Sequence, residues 1–396
     1  MKKKCIAVFG LGPYQLYGIK NLKLKYKIIG FDENKKAIGV KYVNFFYDLN
    51  ISNKKKILEI CKYHKVKHVF CFSSDYAVDT ILYICRNLKL DSYKKYFAAK
   101  KASKKNVLKK ILINNKIHIP KYHITEFSKI KIKSNNKRYI IKPSNLSGSR
   151  GVFSVNSKAQ LKKKLLTFQK NYKDQKLIKE EFIQGKLYAI DGIYFKNKFI
   201  PFSLSLKTKK NSFSDKTIIV NYPDNKLTLK SSELAQKCCK ALRTSDTLVH
   251  LEFIKCAKTR KLYLIDLGLR GAGTFIYGSL IAKIISKNTG RIAIDLDINN
   301  KFLPFVKNSN CFFMYFVTPN KNIFYKGLNQ SYLNKIPIKP FKVINLRKKN
   351  SLVKITYSSY DRLALIIYKF NNYEKLKNSL HKLKKKLLDK EIILNS

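Results

Sequence analysis

Apolar and polar positions along this chain fall into blocks whose period switches between that of a strand and that of a helix. Cys5 to Phe9 is a continuous apolar run of the kind that fills a strand buried on both faces, and Gly10-Leu11-Gly12 turns out of it. Tyr14 to Leu22 then has helical spacing, Lys27 to Phe31 is a second strand ending in Asp32-Glu33, and Ile57 to Tyr63 is helical. His68 to Phe72 is a third strand and Tyr76 to Leu88 a further helix. This alternation predicts a small α/β domain over residues 1–97. From Ala98 to Ile119 the pattern is that of one basic amphipathic helix, with Val107, Leu108, Ile111 and Leu112 on its apolar stripe. Pro120 ends it, because the residue before a proline is disfavoured in helix. Residues 121–300 are strand-rich, with helices at Lys158 to Phe168 and Ser232 to Leu242. Residues 305–369 are strand-rich again, and Tyr373 to Leu388 closes the chain as a helix with Leu376, Leu380, Leu383, Leu387 and Leu388 on one face. The expected class is α/β, α+β in its central lobes, divided at 1–97, 98–300 and 301–396.

Charge changes this picture less than its size suggests. The chain has 396 residues, with 83 Lys and Arg against 24 Asp and Glu, a net charge of +59. Such a balance raises the question of a nucleic-acid partner. The positive residues are nearly all lysine and are spread along the whole length, with no helix-turn-helix or RNA-binding aromatic motif among them, so a solvated basic surface is the better account. The scarcity of acids has a converse. An acid kept inside an apolar segment of so basic a chain is informative, and Glu180, Glu181, Asp191, Glu252 and Asp266 are such residues. The eight cysteines contain no Cys-x-x-Cys pair and read as core thiols. Cys61-x2-His64-x3-His68 lacks a fourth zinc ligand. No apolar run reaches membrane-spanning length, and Met1-Lys2-Lys3-Lys4 leads straight into a strand, so a reduced, cytoplasmic protein is expected. Gly10-x-Gly12 with an acidic pair about twenty residues on has part of a dinucleotide fingerprint. Gln15 stands where its third glycine would be, which favours an ordinary strand-to-helix turn.

Three segments carry chemistry. In Lys142-Pro143-Ser144-Asn145-Leu146-Ser147-Gly148-Ser149-Arg150-Gly151-Val152, small residues let backbone N–H groups face an anion, and Lys142 and Arg150 add positive charge. Glu180-Glu181-Phe182-Ile183-Gln184-Gly185 is either the charged end of a strand or an extended backbone offering one carbonyl and one N–H to the edge of a flat ring. In His250-Leu251-Glu252-Phe253-Ile254 the period of two places His250 and Glu252 on one face, and Leu262 to Gly273 places Asp266, Gly268 and Arg270 on one face. Paired as a hairpin, the two strands bring Glu252 beside Asp266. Two adjacent carboxylates repel unless a cation lies between them. Mg²⁺ with substrate phosphates suits them, the alternative being a structural ion pair with neighbouring lysines.

The order of these segments, with the lysine-rich helix and Ile117-His118-Ile119-Pro120 ahead of them, resembles the ATP-grasp superfamily, closest to its carboxylate–amine ligase branch, which includes biotin carboxylase and carbamoyl-phosphate synthetase. The resemblance covers nearly the whole chain. It implies a Rossmann-like preATP-grasp domain, then an ATP-grasp fold, then a C-terminal lobe, with ATP and Mg²⁺ as cofactors. It also implies small-molecule carboxylate and amine substrates, with a homodimer left open. Lys105 and Lys142 resemble the two nucleotide-phosphate lysines, and Ser147, Gly148, Ser149 and Gly151 the loop that closes over the phosphates, with Arg150 a catalytic residue on that loop. Glu180 resembles the acid near the adenine amino group, and Glu181 and Ile183 the backbone that reads the ring edge. Glu252 and Asp266 match the metal ligands, and Arg270 the arginine that holds the acyl phosphate or tetrahedral intermediate. Two positions depart from the pattern. Gly268 stands where an asparagine usually helps hold a second Mg²⁺, and Leu187 where many members have a glutamate for the ribose hydroxyls.

Overall fold

A computed structural model describes residues 3–23, 25–132, 137–144, 151–172, 176–209, 214–273, 275–356 and 358–395. The first domain holds strands β1 (Cys5–Phe9), β2 (Lys27–Asp32), β3 (Phe45–Asp48) and β4 (His68–Phe70) in a parallel sheet of order β3-β2-β1-β4. Helices α1 (Leu16–Leu22), α2 (Lys54–Tyr63), α3 (Val78–Asn87) and α4 (Tyr93–Ser103) surround it. The apolar run of β1 explains its central place. Cys5, Ala7 and Phe9 enter the core on one face, Ile6 and Val8 the core on the other. The short β3 is aromatic but only four residues long and half exposed, too brief for its pattern to give a strand signal in the sequence.

The single helix expected over Ala98–Ile119 is two. Lys104 takes an extended backbone (φ −90°, ψ 96°), and α5 (Lys105–Asn114) starts afresh after it. Neither glycine nor proline marks the break, so periodicity alone could not show it. Its consequence is that Lys105 opens a helix and Lys109 lies on the stripe buried with Leu108 and Leu112.

A small antiparallel sheet follows, of order β5-β8-β6-β7, built from β5 (Tyr122–Thr125), β6 (Tyr139–Pro143), β7 (Phe153–Val155) and β8 (Leu177–Glu181), with α6 (Lys158–Tyr172) against it. The large sheet begins with β9 (Gly185–Phe195), β10 (Lys198–Lys209), β11 (Asp215–Val220), β12 (Thr247–Cys256) and β13 (Leu262–Gly268), and α7 (Asn225–Leu242) packs on it. A π-helical turn (Ile276–Ile281) leads into α8 (Ala282–Ile284), and α9 (Thr289–Ile298) sends Ile294 into the core of the first domain. Beyond residue 300 come β14 (Cys311–Val317), β15 (Ile323–Leu328), α10 (Gln330–Asn334), β16 (Lys342–Asn345), β17 (Ser351–Val353), β18 (Ala364–Phe370), α11 (Tyr373–Lys386), α12 (Asp389–Ile392) and β19 (Ile393–Asn395).

The large sheet runs across residue 300. Its order is β13-β12-β9-β10-β11-β14-β18-β16, antiparallel throughout, with β17-β15-β19 as a separate three-stranded sheet. β14 binds the two halves together. Phe312, Met314 and Phe316 point into one core, and Cys311, Phe313, Tyr315 and Val317 into the other. All seven are buried, and each large side chain there contributes about 1.5–3 kcal/mol.

Candidate active site

A cavity of about 1770 Å³ opens between the small sheet, the large sheet and the first domain. Among the described residues, seven acids line it (Glu33, Asp75, Asp79, Glu180, Glu181, Glu252 and Asp266), against eight basic ones (Lys104, Lys105, Arg138, Lys142, Lys186, Lys207, Lys209 and Arg270). These described walls are therefore close to neutral in a chain of charge +59, and they hold more than a quarter of its acids.

At one end, Glu180 on β8 lies across the small sheet from β6, whose Ile140 is its register partner. Alternation turns Lys142 of β6 to the same side, and α5 brings Lys109. Both ammonium groups reach Glu180 Oε1 at 2.7 Å, and all three residues are buried. Burial opposes ionisation of Glu180, but the charges of Lys142 and Lys109 outweigh it and hold the carboxyl below its usual range. Lys109 also lies over the Tyr122 ring at 4.8 Å. Lys105, one turn earlier on α5, faces the same cavity. Burial draws its ammonium down to about 8, against the attraction of Asp266. Glu180 is thus the shared counter-charge of the two lysines. Glu181 uses its N–H on the Lys121 carbonyl (2.9 Å) and accepts from the Lys121 N–H at Oε1 (2.9 Å). A ring contact from Glu181 must therefore come through its carbonyl. Ile183 and Leu187 line the cavity beside it, and Phe182 carries the Arg138 guanidinium on its ring at 4.6 Å.

The loop expected to close over phosphates falls largely outside the described residues, which include none of Ser147, Gly148, Ser149 and Arg150. Gly151 at its end has a left-handed φ of 66° and sits against Phe168 and Pro143.

At the other end the hairpin of β12 and β13 has the register that alternation required, with Glu252 opposite Asp266. Glu252 is enclosed by a chain of alternating charges. Lys207 on β10 donates to its Oε1, and His250 Nε2 lies 3.4 Å from the same oxygen. His250 Nδ1 meets Asp191 Oδ1 at 2.7 Å, from the position opposite it on β9. Lys207 also pairs with Asp215 at 3.0 Å, and Lys209 (2.9 Å) and Arg362 (3.5 Å) complete the surroundings of Asp215. Burial disfavours the His250 imidazolium, yet Asp191 and Glu252 lift its pKa to about 9. Burial likewise opposes the charge on Glu252, and Lys207 overrides it, so the carboxyl is held well below its usual range. Arg270, just past β13, crosses to the first domain and grips Asp75 with Nε on Oδ1 (2.9 Å) and Nη2 on Oδ2 (2.7 Å).

Two carboxylates at paired positions on one cavity wall form a hard-oxygen donor set of the kind Mg²⁺ takes together with phosphate oxygens and water. Glu252 already receives an ammonium and an imidazole, so its place accepts positive charge. Among the described residues no group of three His, Cys, Asp or Glu could hold a metal by itself, which leaves the remaining ligands to substrate and water.

Residues 102–274, which supply α5, the small sheet and the β12–β13 hairpin, match a family described as the ATP-grasp domain. The chain carries an ATP-grasp domain. Solved structures agree with that fold over the whole length. An L-amino acid ligase from Bacillus licheniformis superposes with a TM-score of 0.79 at 14% identity, covering 100% of both chains. An N5-carboxyaminoimidazole synthetase from Staphylococcus aureus, complexed with ADP, gives 0.71 at 13% identity, over 97% of this chain and 98% of its own. A phosphoribosylglycinamide synthetase from Anaerococcus prevotii gives 0.69 at 17%, over 99% of each. A search of curated protein sequences finds no match. The ATP-grasp domain's cavity brings together Lys105, Lys142, Glu180, Glu181, Ile183, Glu252, Asp266 and Arg270, all singled out from the sequence.

Four participants were not singled out as site residues. Lys109 and Lys207 are two lysines among many, and only their burial at 5% and 8% exposure distinguishes them. His250 and Asp191 carried a signal, since each is a polar residue inside an apolar strand, but their contact is set by the β9–β12 register. The partial fingerprint in the first domain is filled from within. The buried Gln15 accepts from the Phe72 N–H (2.7 Å) and Ser73 N–H (3.2 Å), closing the space a third glycine would have opened. His64 likewise hydrogen-bonds the Tyr47 hydroxyl at 2.7 Å.

Proposed function

We propose that this chain is an ATP-dependent ligase that joins a carboxylate to an amine through an acyl phosphate. The observation that carries this reading is the convergence on one cavity of two buried or half-buried lysines, Lys105 and Lys142, with a cross-strand pair of carboxylates, Glu252 and Asp266. Lysines suit the phosphates of a nucleotide, and the carboxylates suit the Mg²⁺ that accompanies them, which when bound would neutralise phosphate charge.

In the reaction a carboxylate oxygen attacks the γ-phosphorus of ATP, the bond to the β-phosphate oxygen breaks, and ADP leaves. The amine nitrogen then attacks the acyl carbon, the C–O bond to phosphate breaks, and the amine gives up a proton as the amide forms. Lys105 and Lys142 hold phosphate oxygens, with Glu180 fixing Lys142. Arg270 faces the acyl phosphate and the charge that develops as it reacts. The carboxylate and amine enter from the first-domain end, where Tyr14, Ser73, Ser74 and Tyr76 border both this cavity and a second of about 340 Å³.

The test is ADP release with Mg²⁺ and ATP across a panel of amino-acid pairs, with ADP binding measured separately. Release that needs both a carboxylate and an amine is the expected result. A chain that does not bind ADP, and is silent across the panel, would rule the reading out.

A further inference from the structure

The end of β13 is fastened to the first domain at a close-packed joint. The Phe72 carbonyl accepts from the Gly271 N–H (3.2 Å) and from the Tyr17 hydroxyl (2.9 Å). A Cβ at Gly271 would lie 2.5 Å from that hydroxyl, and one at Gly290 would lie 2.0 Å from the Tyr17 carbonyl oxygen. Three residues beyond Phe72, Asp75 takes two N–H groups of Arg270, and a third goes from Nη1 to the Gly271 carbonyl (3.2 Å). A guanidinium has five N–H groups. The two not used in these bonds sit one on each terminal nitrogen, on a side chain that lines the cavity.

Gly268 belongs to the same arrangement. Its φ lies outside the left-handed region, so its backbone does not demand glycine. What the missing side chain supplies is room. A Cβ there would stand 3.2 Å from Arg270 Cζ and 3.3 Å from Nη1, so the guanidinium lies over the glycine.

We infer that Asp75 and Gly268 are positioning residues for Arg270. Asp75 sets the direction of the fork, Gly268 is the surface it rests on, and the two remaining N–H groups form a grip for a tetrahedral oxyanion. The ligand class is the phosphoryl group of an acyl phosphate, or the inorganic phosphate it releases. The inference rests on the ligase reading and adds the first domain to the reaction machinery. An arginine held in advance gives up less side-chain freedom when the anion arrives, and a bidentate bond to a charged partner fixes the fork more firmly than a single contact.

Calorimetry tests it in two steps. ADP with Mg²⁺ is titrated first, then inorganic phosphate into the loaded enzyme. Two variants move the guanidinium without changing charge: Gly268→Val, and Asp75→Glu, which is longer by one methylene. Affinity for ADP should stay within about 2-fold while phosphate affinity falls by about 10-fold or more in both, since displacement of a positioned group by about 1 Å costs on this scale. Should Gly268→Val not fold, Gly268→Ala carries the same comparison. Phosphate affinity unchanged in the variants, or no phosphate binding by the natural chain, overturns the inference. So does a fall in ADP and phosphate affinity together with a lowered unfolding midpoint, which would mark a merely structural joint. Failure of the natural chain to bind ADP instead sinks the ligase reading, and this inference with it.

Discussion

The two ends of the cavity solve the problem of buried charge differently. Around Glu180 one carboxylate serves two lysines, and all three come from neighbouring elements of residues 105–181, so the cluster is local. Around Glu252 the charges alternate through Asp191, His250, Glu252, Lys207 and Asp215 and then reach Arg362, just before β18. The first carries an excess of positive charge, which an anionic nucleotide would satisfy. The second, once Lys209 on Asp215 and Asp266 opposite Glu252 are counted with it, is balanced within itself, so a cation or phosphate arriving there must rearrange existing pairs. One end is therefore primed for a ligand, and the other is held in shape until it comes.

Replacing the central acid at each end separates the two most sharply. Glu252→Gln removes one charge from a balanced chain and leaves Lys207 and His250 short of a partner. It should lower ADP release by roughly a thousandfold, as loss of a principal electrostatic group does, and destabilise the fold by about 3–5 kcal/mol, the scale of breaking a buried pair. Glu180→Gln should cost a similar amount of stability, because Lys109 and Lys142 lose their shared counter-charge, but bound ADP should recover much of it. Urea unfolding with and without MgADP checks both. Equal recovery in the two variants would erase the distinction.

A smaller effect comes from pH. His250 has a folded pKa of about 9 against an ordinary value near 6.5, so its imidazolium is stabilised by folding. The stability it contributes is fully present below pH 6.5 and is lost as pH rises toward 9, roughly 3 kcal/mol in all from the linkage relation. Asp191→Asn should flatten that part of the stability profile. A profile unchanged by the substitution would mean that Asp191 does not hold the charge.

The smallest effect belongs to the nucleotide end. Burial places the Lys105 pKa at about 8, and a bound phosphate would raise it again. ADP affinity should therefore be strongest below pH 8 and weaken as pH climbs past it, by up to about 10-fold for each pKa unit the phosphate restores. Lys105→Gln should bind more weakly and lose this dependence. A variant with the same pH profile as the natural chain would move the effect to another group.

Much of this was legible before folding. The β1 run placed itself at the centre of a parallel sheet, because an apolar strand that alternates nothing must be covered on both faces. The period of two in β12 and β13 put Glu252 opposite Asp266, because a hairpin with one buried face tolerates no slip of a single residue. The break at Lys104 was hidden, since two amphipathic helices in sequence share one apolar rhythm. Lys109 and Lys207 were hidden for another reason. In a chain with so many lysines, only burial singles out the few that carry structure.

By itself the sequence determined the order of elements, the strand faces and the scarcity of acids that made Glu180, Glu252 and Asp266 informative. These depend on local periodicity and on the cost of keeping charge in an apolar run. Only the tertiary structure decided which charges meet. It turned Glu180 toward Lys109 and Lys142, set Asp191 behind His250, and carried Asp75 across 195 positions to Arg270. Those pairings follow from sheet register and from the glycine-lined joint around Tyr17, which bring together residues that no spacing along the chain relates.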